Sequence, residues 1–239
     1  MNNESLYYRT VRKELSSWEK QLLKRPSITN RASKALQRKL HSIIPQKAQN
    51  LVTASVRTLI ETIISGSSII TNHEQADSPG LAESDFLVER AFVVYHKTAV
   101  AQGIGFGLGG VLINLADLPA LMSIKVKFLF DCAKLYGYDV NSENERMFML
   151  YVFQLAFCGD ERRLEIFPII KEWDKRTEEI SLDWERLQIE YRDYLDIAKL
   201  LQLLPVVGSV AGGTANHNLM KKLKITAMNC YRLRFMNKN

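Results

Sequence analysis

Apolar residues recur at steps of three and four along most of this 239-residue chain, and no stretch sustains the alternation of period two that indicates a half-buried strand. Between residues 5 and 24 the apolar positions interleave with lysines and arginines, a pattern typical of an amphipathic helix with a basic face. With 46% hydrophobic and 24% charged residues, the chain can bury a substantial core. The sequence therefore predicts an all-α fold, a helical bundle.

Start and stop signals locate the other helices. The expected ranges are about 30–41, 45–65, 82–101, 118–136, 142–158, 160–180, 183–203 and 215–235. Ser142 and Glu145 have the spacing of a capping box, Gly137 and Gly159 are placed to end helices, and Pro168 is expected to interrupt the helix that contains it. Residues 71–80 read as a loop.

Two glycine-rich apolar segments, residues 99–124 and 204–214, interrupt this pattern, and we predict that they form hairpin-like structures in which the small residues allow close helix packing. Gly105, Gly107 and Gly110 have the spacing of a dinucleotide-binding fingerprint. This motif indicates a dinucleotide site only where it follows a β-strand. The first segment is long enough to span a bilayer, but Asp117 opposes a simple span. We therefore favour a soluble or peripheral membrane protein over one in which these segments are inserted into the bilayer.

The charge is divided unevenly along the chain. Residues 1–60 carry 12 bases and three acids, residues 61–216 carry 14 bases and 23 acids, and residues 217–239 carry six bases and no acid. Basic ends indicate either an anionic partner or an internal match to the acidic middle. No nucleic-acid-binding motif accompanies the bases, so an anionic membrane surface is the favoured external partner.

The three cysteines, Cys132, Cys158 and Cys230, form no CxxC pair and no disulfide framework, which favours a reducing compartment. The first residues resemble no secretion signal. We therefore expect a cytoplasmic protein, peripheral at the inner face of the membrane. The composition divides it into a basic N-terminal helical region, 1–75, and a helical domain, 76–239.

No set of residues supports a reaction, a metal site or a cofactor, so a non-enzymatic role is favoured. His96 precedes one glycine-rich segment and His217 follows the other, so the two can converge. Asp117 is interpreted first as a helix cap and second as a charge used to hold a ligand. The alternative function is therefore an enzyme or small-ligand-binding protein with a pocket near Asp117, His96 and His217.

Several sequence motifs are more informative about the family than the periodicity of the apolar residues is. Residues 107–110 (GLGG), 116–121 (ADLPAL) and 136–139 (YGYD), followed by 204–208 (LPVVG), Asn216 and 231–234 (YRLR), resemble in order and separation the signature of the EcsC family. The resemblance covers about residues 80–237. Asn114 and Lys125 depart from it, standing where a more apolar residue and an arginine are expected.

The resemblance implies a bacterial protein associated with an exporter-type ABC transporter, because the family is named for the third product of an operon that also encodes an ATPase and a membrane subunit. ABC-transporter subunits are thus implied partners. It supplies no catalytic residues. The candidate binding residues match its signature and are also physically unusual: Asp117, Pro119, Tyr136, Gly208 and Asn216.

Overall fold

The computed structural model describes residues 3–24, 54, 57–58, 60–66, 73–106, 118–175 and 208–238. Within them the chain forms helices and no strand, so the predicted all-α class is confirmed. The helices are α1 (Asn3–Leu22), α2 (Leu81–Phe106), α3 (Leu118–Leu135), α4 (Glu143–Phe157), α5 (Asp160–Lys171) and α6 (Gly208–Lys238), with a 3-10 turn at Trp173–Lys175. None of the described helices is long and apolar enough to cross a membrane.

The antiparallel pair α2 and α6 is the centre of the fold and makes the most extensive contact among the described helices. Three side-chain contacts connect the two helices at successive levels: Asp85 to Arg232, Glu89 to Lys224, and His96 to His217. The numbers rise along α2 as they fall along α6, which establishes the antiparallel direction. The C-terminal end of α2 and the N-terminal end of α6, where the glycine-rich segments join, therefore lie at the same end of this pair.

Helix α4 forms much of the core, and every residue from Phe148 to Phe157 is buried. It packs on α5 and α6, while α3 packs on α2 through contacts such as that of Phe92 with Phe128. A helix that is apolar on all sides must be surrounded by other elements. This requirement places α4 inside the bundle.

Helix α1 packs on the bundle along its apolar stripe. Val11 and Leu15 are buried, and the Trp18 ring meets Phe167 edge-on with the ring centroids 5.7 Å apart. The Lys171 ammonium contacts the Glu19 carboxylate at 3.0 Å. The apolar side of this helix is thus occupied by its own protein, and its basic side faces outward. The division between residues 75 and 76 stays a prediction.

Three local expectations were wrong in detail. Ser142 occupies the N-cap position of α4 but makes no side-chain capping bond, and Glu145, the other half of the expected capping box, is buried in the core. Pro168 lies within α5, which continues to Lys171, so it does not interrupt that helix. Gly159 has φ −71° and precedes α5, and the residue that ends α4 is Cys158.

Other expectations fall on residues outside the described ranges. These are the helices at 30–41 and 183–203, most of 45–65, and the residues from Gly107 to Asp117. Helix α3 does begin at Leu118 with Pro119 in its first turn, and α2 continues through Gly103 and Gly105 to Phe106. The first glycine that imitates a dinucleotide fingerprint, Gly105, thus lies within a helix, and among the described residues no strand precedes it.

Gly137 ends α3 as the sequence indicates, with φ +80°, a left-handed conformation that favours glycine. An added Cβ would lie 3.0 Å from Cδ of Pro79 and 3.3 Å from the backbone oxygen of Ala76. We expect Gly137→Ala to lower the free energy of unfolding by about 1–3 kcal/mol. Gly159→Ala is the matched control, because that site is open and its φ is negative; it should lose only about 0.5–1 kcal/mol, since alanine is a poorer N-cap of α5 than glycine. Equal losses in urea denaturation would contradict this account.

Candidate functional site

The two histidines chosen from the sequence meet across α2 and α6. Nε2 of His96 lies 2.7 Å from Nδ1 of His217, and the rings are nearly perpendicular with centroids 4.6 Å apart. The Phe92 ring packs against His96 with a centroid separation of 5.1 Å. Burial, followed by the charges of His217 and Lys224, lowers the pKa of His96. A neutral His96 can share one proton with His217 or bind a cation through its lone pair.

The other candidate residues are not all brought to this pair. Asp117 lies outside the described residues, and Pro119, Gly208 and Asn216 are located only as helix backbone in α3 and α6. Tyr136 is buried at a different level of the bundle, where its hydroxyl donates to Asp85. The alternative site around Asp117, His96 and His217 therefore stays a prediction.

Asp85 is the centre of the buried network that contains Tyr136. Its carboxylate, 4% exposed, accepts from Nε of Arg232 at 3.0 and 3.1 Å and from the Tyr7 hydroxyl at 2.5 Å, so that it links α1, α2, α6 and the end of α3. Burial and the neighbouring Asp85 raise the pKa of Tyr136 well above its ordinary value. Every described partner of this carboxylate is a donor, which is what a buried charge requires.

Glu145 forms a second network beside the first. It accepts from the Tyr231 hydroxyl at 2.7 Å and from Arg234 at 2.6 Å, and Arg234 also binds Asp174 through two nitrogens. The Arg234 guanidinium lies between two aromatic rings, 3.9 Å from the centroid of Tyr138 and 4.3 Å from that of Phe148. The Tyr136 and Tyr231 rings stack at 5.3 Å and connect the two networks.

A third buried carboxylate belongs to Asp131 on α3. It accepts from the Tyr95 hydroxyl at 2.5 Å and from Nδ1 of His73 at 2.9 Å. The backbone N–H of Ala76 donates to the Lys134 carbonyl at 3.0 Å, which holds the same loop against the end of α3. The hydrogen bonds from Tyr95 and His73 explain why an acidic residue, Asp131, is buried in α3. The sequence alone showed only that Asp131 lies within a helix.

Asp85, Glu145, Arg232 and Arg234 were not predicted from the sequence as members of a buried network, although the sequence carries a signal for the two acids. Asp85 stands on the apolar stripe of α2 between Leu81 and Val88, and Glu145 stands one turn before Phe148. An acid at a core-facing step of three or four needs a buried donor. Capping chemistry explained Glu145 locally and concealed this requirement.

Lys125 stands at the position where the family resemblance leads us to expect an arginine. It lies in the core with 1% of its surface exposed. Burial lowers the pKa of its ammonium group to about 8. Among the described residues no three histidine, cysteine or acidic side chains come together in a way that could hold a metal ion. The described interior thus contains networks of paired carboxylates together with buried polar atoms that have no hydrogen-bond partner there, including both side-chain amide atoms of Gln154.

The surface carries the remaining candidate, the outward side of α1. Arg9, Arg12, Lys13 and Lys20 are all exposed and lie within an arc of about 100° on the helix, at 3.6 residues per turn. Lys24 follows directly after the helix and is also exposed. We call these five residues the basic face. None of them forms an ion pair within the part of the chain that the structure describes.

Comparison with known proteins agrees with the sequence motifs. The model of the EcsC protein family matches residues 9–236, and this chain therefore belongs to the EcsC family. It is 42% identical over 223 residues to "Protein EcsC" of Bacillus subtilis (strain 168), covering 93% of this chain and 94% of that protein.

A second relative is more distant. "Uncharacterized protein YdbA" of the same organism is 33% identical over 143 residues, covering 58% of this chain and 53% of that protein. No solved structure matches this chain.

Proposed function

We propose that this protein is a non-enzymatic accessory of an exporter-type ABC transporter, held peripherally at the cytoplasmic face of a bacterial membrane by the basic face of α1. The observation that carries the proposal is the separation of charge on that helix. Its bases face outward without ion pairs among the described residues, whereas its acids Glu14 and Glu19 contact Arg232 and Lys171 of the same protein. An outward surface of one sign favours an anionic partner.

Exposed apolar side chains stand beside these bases. Leu6, with 55% of its surface exposed, and Leu23 lie towards the two ends of the basic face. On α2, Phe86, Val93 and Val94 are also exposed, near the exposed bases Arg90 and Lys97. Bases near an anionic bilayer contribute about 1 kcal/mol each, and exposed leucines add a hydrophobic contribution.

The association with a transporter rests on family membership and on the operon that the family resemblance implies. The acidic residues at 160–203 are a second candidate surface for docking a partner protein. This role is less well supported than membrane binding by the basic face. In the described part of that stretch, Trp173 is buried against Phe148, and Glu165 and Glu172 are already paired with neighbouring bases. Trp184 lies outside the described residues. The basic face is therefore the more strongly supported contact.

Binding to vesicles tests the lipid contact directly. We expect the purified protein to float with vesicles that contain about one third phosphatidylglycerol and not with purely zwitterionic vesicles. Changing Arg9, Arg12, Lys13 and Lys20 together to glutamine should weaken this binding at least tenfold, since several kcal/mol of attraction is removed. The matched control changes four exposed lysines elsewhere in the described chain to glutamine, Lys127, Lys175, Lys221 and Lys238.

Equal weakening by the two quadruple variants would contradict a specific role for α1. Fractionation of host cells with salt and carbonate washes tests the location. Release by salt is expected for a peripheral protein, and a wholly soluble pool in low salt would overturn the proposal. Repeating the fractionation in a strain without the transporter's membrane subunit separates the two partners, because only a lipid-bound protein stays with the membrane.

The alternative function, an enzyme or small-ligand-binding protein, is favoured by one observation, the contact between His96 and His217. Their substitution should then abolish function in the host while leaving the membrane-bound fraction unchanged. Loss of function only with loss of membrane binding would favour the accessory role.

A further inference from the structure

The contact between His96 and His217 joins two residues that are 121 positions apart, on the two helices that form the centre of the fold. Imidazole nitrogens are common ligands of zinc, copper and nickel ions. We infer that this pair is a binding site for a divalent transition-metal ion, held by Nε2 of His96 and Nδ1 of His217. The inference does not depend on the proposed membrane role.

The distance between the two nitrogens fits such an ion closely. Zinc–nitrogen bonds are about 2.0–2.1 Å long, so two nitrogens on one ion at angles between about 90° and 109° lie about 2.8–3.4 Å apart. The observed separation is 2.7 Å. The nitrogens must therefore separate by less than about 1 Å, and each ring must tilt so that its lone pair points at the ion rather than along the hydrogen bond. The proton of that hydrogen bond passes through water to the other nitrogen of its own ring, so that both histidines bind the ion as neutral imidazoles.

The helices also hold both ligands in place before the ion arrives. Glu89 and Lys224 form an ion pair at 2.6 Å at the next level, and Asp85 and Arg232 join the helices beyond it. Phe92 packs on the His96 ring and restricts its rotation. Because this geometry is already formed, two protein ligands can bind with less loss of conformational entropy than on a flexible chain.

The surroundings leave room for the rest of the coordination sphere. His217 is exposed and His96 half-buried, so water can fill the other positions. The charge of Lys224 acts on His96, and this ammonium group is paired with both carboxylate oxygens of Glu89. The ion would fasten α2 to α6 immediately before the ends that lead into the glycine-rich segments.

Titration of the full-length, chelator-treated protein with Zn²⁺ in a calorimeter tests the site. We expect one ion per chain with micromolar affinity, and no binding of Mg²⁺ at the same concentrations, since Mg²⁺ prefers oxygen ligands. His96→Gln and His217→Gln should each weaken Zn²⁺ binding at least tenfold. His41→Gln, which changes a histidine outside the pair, should leave it unaltered.

The inference is wrong if both glutamine variants bind Zn²⁺ as the unaltered chain does, or if that chain binds Zn²⁺ no better than Mg²⁺. Electron paramagnetic resonance of Cu²⁺ bound to the His41→Gln protein keeps the test independent of the folding of the other variants. Hyperfine coupling to two imidazole nitrogens is expected. Coupling to one nitrogen or none would equally overturn the two-histidine site.

Discussion

Replacing Arg234 by methionine is expected to lower the free energy of unfolding by about 3–5 kcal/mol, because it leaves the carboxylate of Glu145 buried without its charged partner. Both side chains are 5% exposed, so water cannot take the place of the lost guanidinium. Methionine keeps much of the contact with Tyr138 and Phe148, which separates the electrostatic loss from a loss of packing. Urea denaturation measures the change.

The same variant should show a specific dependence on pH. Burial raises the pKa of Glu145 while Arg234 lowers it, so removing Arg234 raises this pKa further. A carboxyl group whose folded pKa exceeds its unfolded value of about 4.3 loses stability as the pH rises through that interval. The destabilisation of Arg234→Met should therefore be smaller at pH 4 than at pH 7.

Two controls complete this test. Lys175→Met removes an ion pair with Glu172 in which both side chains are more than half exposed, and it should cost less than about 1 kcal/mol. Adding Glu145→Gln to Arg234→Met should restore part of the lost stability, since the unpaired charge is then absent. If the double variant were no more stable than Arg234→Met, an uncompensated charge would not be the cause.

Asp85→Ala is expected to lower the free energy of unfolding by a similar amount, about 3–5 kcal/mol, because Arg232, Tyr136 and Tyr7 all lose their hydrogen-bond acceptor. The matched control is Glu89→Ala on the same helix. Glu89 also pairs with a base on α6, but it is 50% exposed, so its loss should cost less than about 1 kcal/mol. Thermal or urea denaturation compares the two, and equal losses would contradict the distinction by burial.

Tyr7 provides a second measurement on this network. Burial, and then the hydrogen bond to Asp85, raise the pKa of Tyr7 to about 12. In Asp85→Ala this pKa should fall but stay above the ordinary value of about 10, because burial is the larger cause. The difference in absorbance at high pH between each protein and its Tyr7→Phe counterpart isolates this one tyrosine. An unchanged pKa would show that Asp85 does not act on Tyr7.

The candidate site could be predicted in part. The positions of His96 and His217 next to the two glycine-rich segments suggested that they can converge, and the structure places their nitrogens in contact. Asp85 and Glu145 were missed because an acid in a helix has several local explanations, and only the partners brought by α6 distinguish among them.

By itself, the sequence determined the helical class, the end of α3 at Gly137 and the basic side of α1, because each depends on residues within a few turns of one another. Tertiary structure alone decided which side of α1 is covered, that α2 and α6 run antiparallel, and that Asp85, Asp131 and Glu145 are buried among donors. These features join residues more than thirty positions apart. They follow from how helices pack, which local periodicity does not specify.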